Sequence, residues 1–120
     1  MMKKRILLVD DDEDLLSTFE ESLSLRGYDI ITAHNGYEAI VQYKEKNPCI
    51  TFMDIRMPEM DGYEAFSKIK EISDDAKIVF VTGNETISKT QIAKNQGLID
   101  LIEKPTIAEK IIELIKSNDC

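Results

Sequence analysis

The sequence predicts a doubly wound α/β domain, a five-stranded parallel sheet with helices on both faces. Five short apolar runs, several rich in Ile and Val, alternate strictly with segments whose apolar residues recur at helical spacing. Those runs are continuous rather than alternately polar, as strands covered on both faces are. A length of 120 residues, 42% hydrophobic and 32% charged, suits one core and is short for two.

The elements follow in order. Ile6 to Val9 reads as the first strand, and Leu15, Leu16, Phe19 and Leu23 form the apolar face of a helix behind it. Asp12 to Asp14 put negative charge at that helix's start, where the macrodipole favours it. Read as an EF-hand, the same acids lack the glycine of the sixth loop position, which here is Leu15. Tyr28 to Ala33 is the second strand, with Tyr37, Ile40 and Tyr43 as the next helical stripe; Ile50 to Met53 is the third, with Ala65, Phe66, Ile69 and Ile72 behind it. Ile78 to Val81 is the fourth. The helix that follows, Glu85 to Asn95, has only Ile87, Ile92 and Ala93 as apolar positions and is expected to be loosely held. Leu98 to Ile102 is the fifth strand, and Ala108, Ile111, Ile112 and Ile115 mark the last helix.

Composition narrows the function. A formal net charge of −8, with no cluster of Lys or Arg among aromatics, argues against direct nucleic-acid binding. No apolar run approaches the roughly 20 residues of a membrane span, and the four apolar residues Ile6 to Val9 are too few for a signal peptide. Cys49 and Cys120, the only cysteines, suggest neither metal-ligand spacing nor a disulfide framework, so a reducing cytoplasm is expected, with Cys49 packed as a small apolar residue. The one histidine, His34, falls just past the second strand and reads as a surface residue.

In a parallel α/β sheet, ligands bind beyond the carboxyl ends of the strands. Four of those endings are polar: Asp10-Asp11, Asp54, Thr82-Gly83 and, past Glu103, Lys104-Pro105. Any one of them is ordinary for a strand meeting solvent, but all four together converge on one rim. Clustered carboxylates repel unless they share a cation, and oxygen donors of this kind suit Mg²⁺. Asp54, directly after a buried strand, can attack phosphorus beside such a metal, with Thr82 and Lys104 as donors to the new oxygens.

The motifs "ILLVDDDED", "FMDIRMPEMDG", "VFVTGN" and "LIEKP", in this order and spacing, resemble the receiver domains of two-component response regulators over essentially the whole chain, 1–120, taken as a single domain. The size is similar to that of the stand-alone chemotaxis and sporulation phosphorelay regulators. The resemblance implies a flavodoxin-like fold with strand order 2-1-3-4-5 and a cytoplasmic signalling role rather than an enzyme acting on a separate substrate. It implies Asp54 as phosphoacceptor, Asp10, Asp11, Asp54 and the backbone carbonyl of Arg56 as ligands of Mg²⁺ (or Mn²⁺), Thr82 as switch hydroxyl and Lys104 as phosphoryl partner. It further implies a cis peptide at Lys104-Pro105, and a loop shaped by Met57-Pro58 and Gly62, with Met53 and Met57 packed around the site. Implied partners are a histidine kinase or phosphotransfer protein upstream and a protein target on the fourth helix, fifth strand and fifth helix, with no membrane and a monomer or phosphorylation-dependent dimer. By the same resemblance, Arg56 and Asn84 border the approach of hydrolytic water and tune the phosphoryl lifetime.

Two positions depart from the family pattern. Leu101 stands where the fifth strand carries its switch aromatic, so the usual coupling of that ring to the hydroxyl cannot operate in that form, and Thr106 replaces an aromatic after the proline. A rival reading is a haloacid dehalogenase type phosphatase, with Asp10 as nucleophile and Asp12 as acid/base. It leaves Asp54 without a role and has no segment for a cap.

Overall fold

The computed structural model describes residues 4–83 and 87–120, with the backbone alone at 87–90. Its elements are β1 (Arg5–Val9), α1 (Glu13–Leu25), β2 (Asp29–Ala33), α2 (Gly36–Lys46), β3 (Ile50–Met53), α3 (Gly62–Ile72), β4 (Ile78–Thr82), α4 (Ile87–Asn95), β5 (Asp100–Glu103) and α5 (Ala108–Ser117). The strands pair in parallel in the order β2-β1-β3-β4-β5, the arrangement the sequence reading expects. Among the described residues no helix is long and apolar enough to cross a membrane.

Side-chain alternation divides the core between the two faces of the sheet. Leu7, Val9, Met53, Ile78 and Phe80 pack with Ala39, Tyr43, Ala65, Phe66 and Ile69 of α2 and α3. Ile6, Leu8, Phe52, Val79 and Val81 pack with Leu16, Leu23, Ile111 and Ile115 of α1 and α5. Each large side chain sealed in this way contributes on the order of 1.5–3 kcal/mol. Phe80 also meets Tyr63 and Phe66 edge-on, at centroid distances of 5.3 and 5.6 Å.

Short polar side chains start the helices that lie near the rim. Asp12 caps α1 by accepting from the N–H groups of Asp14 and Leu15, Asn35 caps α2 through Glu38, and Asp61 caps α3 through Glu64. Helix α1 begins at Glu13, inside the run of acids that imitates a calcium loop.

Three expectations need correction. Tyr37 and Ile72 are 54% and 43% exposed, because the buried face of α2 is centred on Gly36, Ala39 and Tyr43, and Ile72 ends α3. Leu98 and Ile99 precede β5. Gly97 has φ 99°, and the Leu98 N–H turns back to the Ala93 carbonyl, so the chain closes α4 before it extends. Most consequentially, Cys49 does not pack as a free apolar residue: it is bonded to Cys120, 71 positions away. The cytoplasmic expectation therefore loses the support it drew from unpaired cysteines. The thin face expected of α4 is visible in Ile92, 57% exposed, with Ala93 buried beside it.

Candidate functional site: a carboxylate cluster at the strand ends

Strand register builds the site. Val9 pairs with Met53 across β1 and β3, so the next residues, Asp10 and Asp54, emerge side by side. The Asp54 N–H donates to the Val9 carbonyl at 2.8 Å, and the Asp10 N–H to that of Ala33 at 3.1 Å, which fixes both backbones. On the far side Thr82 pairs with Glu103, and the Lys104 N–H donates to the Thr82 carbonyl at 2.8 Å.

Carboxylate oxygens of Asp10, Asp11 and Asp54 lie within 4.8 Å of one another. Asp10 and Asp54 are buried, Asp11 exposed. The Lys104 Nζ donates to Asp10 Oδ2 at 2.7 Å and stands 3.6 Å from Asp54 Oδ2. The peptide bond between Lys104 and Pro105 is cis. Thr82 is 2% exposed, and its hydroxyl oxygen has no hydrogen-bond partner among the described residues.

Burial, then the field of Asp10, pushes the Asp54 carboxyl from 3.8 up to about 6; Lys104 opposes this, Asp11 adds to it, and a hydrogen bond from the Arg56 backbone offsets part of it. Burial alone would lower the Lys104 pKa, but its hydrogen bond to Asp10 and the charges of Asp54 and Asp10 outweigh burial and raise it. Lys104 thus meets two of the three carboxylates, Asp10 and Asp54. That surplus of negative oxygen, with Asp54 shifted toward its neutral form, fits a hard divalent cation such as Mg²⁺.

The sequence-predicted residues Asp10, Asp11, Asp54 and Lys104 meet here. Leu101 is half-buried, pairs with Phe80 and packs on the α2–α3 side of the core. Arg56 is exposed on the loop after β3, where Met57 is buried and Met53 lies fully inside. Asn84 lies outside the described residues. His34 is partly exposed, with ring nitrogens 3.3 Å from Glu38 and 3.9 Å from Glu13.

In the receiver reading Asp12 had no part in the site, yet its N–H donates to Asp10 Oδ1 at 2.9 Å and helps to aim that carboxylate. The signal was available in the Asp10-x-Asp12 spacing, since an aspartate often accepts from the amide two residues on. Asp12's own carboxylate is taken up by capping α1, which leaves it poorly suited to the acid/base role of the phosphatase reading.

Comparison with known proteins adds independent findings. Residues 6–116 match the response regulator receiver domain family. The chain is 36% identical to the chemotaxis protein CheY of Bacillus subtilis, covering 95% of this chain and 96% of that one. It is 30% identical to the response regulator MprA of Mycobacterium bovis over 97% of its own length, but spans only 50% of that protein. Among solved structures it superposes on a CheY-like receiver domain protein from Methanospirillum hungatei with a TM-score of 0.92, at 28% identity, covering 98% of this chain and 95% of that one.

Proposed function

The chain belongs to the response regulator receiver domain family, phosphoacceptor signalling domains of two-component systems, and from that premise we propose that Asp54 accepts one phosphoryl group in a Mg²⁺- or Mn²⁺-dependent step. The observation that carries this is the buried Asp54 carboxylate, within reach of two further carboxylates and of Lys104. The donor is a histidine kinase or phosphotransfer protein. A carboxylate oxygen of Asp54 attacks phosphorus while the bond to the donor breaks, and the leaving group keeps the electron pair.

Asp10, Asp11, Asp54 and the carbonyl of Arg56 would hold the cation, which when bound offsets their charge and draws in the phosphoryl oxygens. The buried Thr82 hydroxyl and the Lys104 ammonium are donors for those oxygens, and among the described residues Thr82 has no partner to give up first. Above pH about 6 Asp54 is largely ionised, and its raised basicity makes it a stronger nucleophile than an unperturbed carboxylate. In this reading 1–120 is one receiver domain, cytoplasmic, monomeric or dimerising on phosphorylation. Its only catalysis is its own phosphorylation and dephosphorylation. Its output is a protein target on α4, β5 and α5, with Leu101 at the switch position.

Intact mass after incubation with acetyl phosphate and Mg²⁺ tests the assignment. One labile phosphoryl group is expected, and none with chelator or in Asp54→Asn. Label that persists in Asp54→Asn but vanishes in Asp10→Asn would replace this reading with the phosphatase one.

Arg56 and Asn84 are proposed to prolong the phosphorylated state. A guanidinium two residues past the acceptor can lie over the phosphoryl oxygens through charge-assisted hydrogen bonds and fill the path of an in-line water. Asn84 brings no carboxylate to orient that water. Arg56→Asn should speed decay of the phosphoprotein several-fold, as should Asn84→Glu. Unchanged or slower decay in both would rule the idea out.

A further inference from the structure

Cys49 and Cys120 sit at the amino-terminal end of the central strand, opposite the carboxylates. Cys49 immediately precedes β3, Cys120 follows the end of α5, and their Cα atoms are 5.9 Å apart, within the range a disulfide spans. Both are only partly buried, so a small thiol or disulfide can approach the sulfurs. Accessible bridges of this kind are the labile ones, unlike bridges sealed inside a core.

What else holds this segment is mainly polar. The Lys77 ammonium donates to the Asn118 carbonyl at 2.6 Å, and the Asn118 amide to the Leu114 carbonyl at 2.8 Å. The Cys120 N–H donates to Ile115 at 3.0 Å, across Asp119 in the left-handed region at φ 60°. The apolar anchors of α5, Ile111, Ile112, Leu114 and Ile115, all lie earlier in the chain. Opening the bridge would therefore leave the helix in place through Ile115 and release the chain after it. The freed sulfurs would find acceptors close by, since carbonyl oxygens lie 4.0 Å from Cys49 Sγ (Asp119) and 3.6 Å from Cys120 Sγ (Asn118).

We propose that Cys49 and Cys120 are a reversible dithiol–disulfide couple, through which thiol redox state sets how firmly the chain after Ile115 is held to the base of β3. Closure takes a small-molecule disulfide as oxidant. One cysteine thiolate attacks it, forming a mixed disulfide and expelling a small thiolate; the second cysteine attacks the first cysteine's sulfur and expels the other small thiolate. The two cysteine protons pass to the departing thiolates, and the two electrons lost by the cysteines reduce the small disulfide. Reduction by a small dithiol reverses each step. None of this depends on Asp54.

The test uses the folded chain, oxidised with glutathione disulfide or reduced with dithiothreitol without denaturant, then alkylated and weighed. No adducts are expected after oxidation and two after reduction, with phosphoryl uptake unchanged. Hydrogen exchange over 116–120 should quicken by about tenfold or more on reduction, with the strands unaffected. Cys49→Ser and Cys120→Ala should each exchange at the reduced rate in either buffer; having two variants guards against one that folds poorly. Reduction only in denaturant, exchange at 116–120 that does not change, or an equal rise throughout the sheet would each overturn the proposal.

Discussion

Asp54→Asn is expected to be more stable than the wild-type chain at neutral pH in metal-free buffer, by about 1–3 kcal/mol. An acid whose pKa rises from 3.8 to about 6 on folding holds its proton more tightly in the folded state. Between those values the unfolded chain binds fewer protons than the folded one, so wild-type stability falls as pH rises through the window, and the deficit is complete above it. An amide at position 54 escapes burial of a charge and the repulsion of Asp10, while Lys104 keeps its shorter bond to Asp10 at 2.7 Å. Urea unfolding at pH 4, 5, 6 and 7.5 should show the two proteins nearly equal at the acid end and diverging upward. Millimolar Mg²⁺ should narrow the gap by stabilising the wild type. A variant less stable than wild type at pH 7.5 would show that Asp54 is held by favourable contacts rather than against repulsion.

Gly62→Ala should lose about 1–3 kcal/mol and impair phosphoryl uptake. On helix propensity alone the change would gain up to about 1 kcal/mol, so the sign decides between propensity and packing. A Cβ at Gly62 would lie 2.6 Å from the Asp54 carbonyl oxygen and 2.8 Å from the Ile55 Cα. Both are backbone atoms and cannot swing aside. The loop is held this close because the Gly62 N–H donates to the Ile55 carbonyl at 2.7 Å. Relief must therefore move the peptide that carries the acceptor. Gly36→Ala is the comparator: its Cβ would meet the Met60 side chain at 2.8 Å, which can repack at smaller loss. Equal losses in the two variants, or a gain at Gly62, would discredit the backbone argument.

The rim was legible in the sequence because parallel strands display their last residues in register. Once Ile6 to Val9 and Ile50 to Met53 are read as neighbours, Asp10 and Asp54 follow. Order of elements and continuous apolar runs were enough for the sheet. Tyr37 was misread because one residue on a helix is about 100° of rotation: the buried face runs through Gly36, Ala39 and Tyr43, and Tyr37 lies one step off it. Leu98 looked like strand because an apolar residue after Gly97 serves a helix cap as well as it would begin a strand. The Cys49–Cys120 pairing left no local trace: it depends on where α5 ends relative to the base of β3, a tertiary fact.

The Cys49 N–H also donates to the Arg5 carbonyl at 2.8 Å, so one residue touches the first strand and, through sulfur, the segment after the last helix. The two ends of the fold are thus neighbours. Joining them through a short linker and reopening the chain at an exposed turn would yield a circular permutant with the same sheet. Any module fused at either end would be leashed to the amino-terminal end of the strands, leaving the carboxylate rim unobstructed for a docking protein. A message between that module and Asp54 must then cross the length of the strands, about 15 Å at about 3.3 Å per residue.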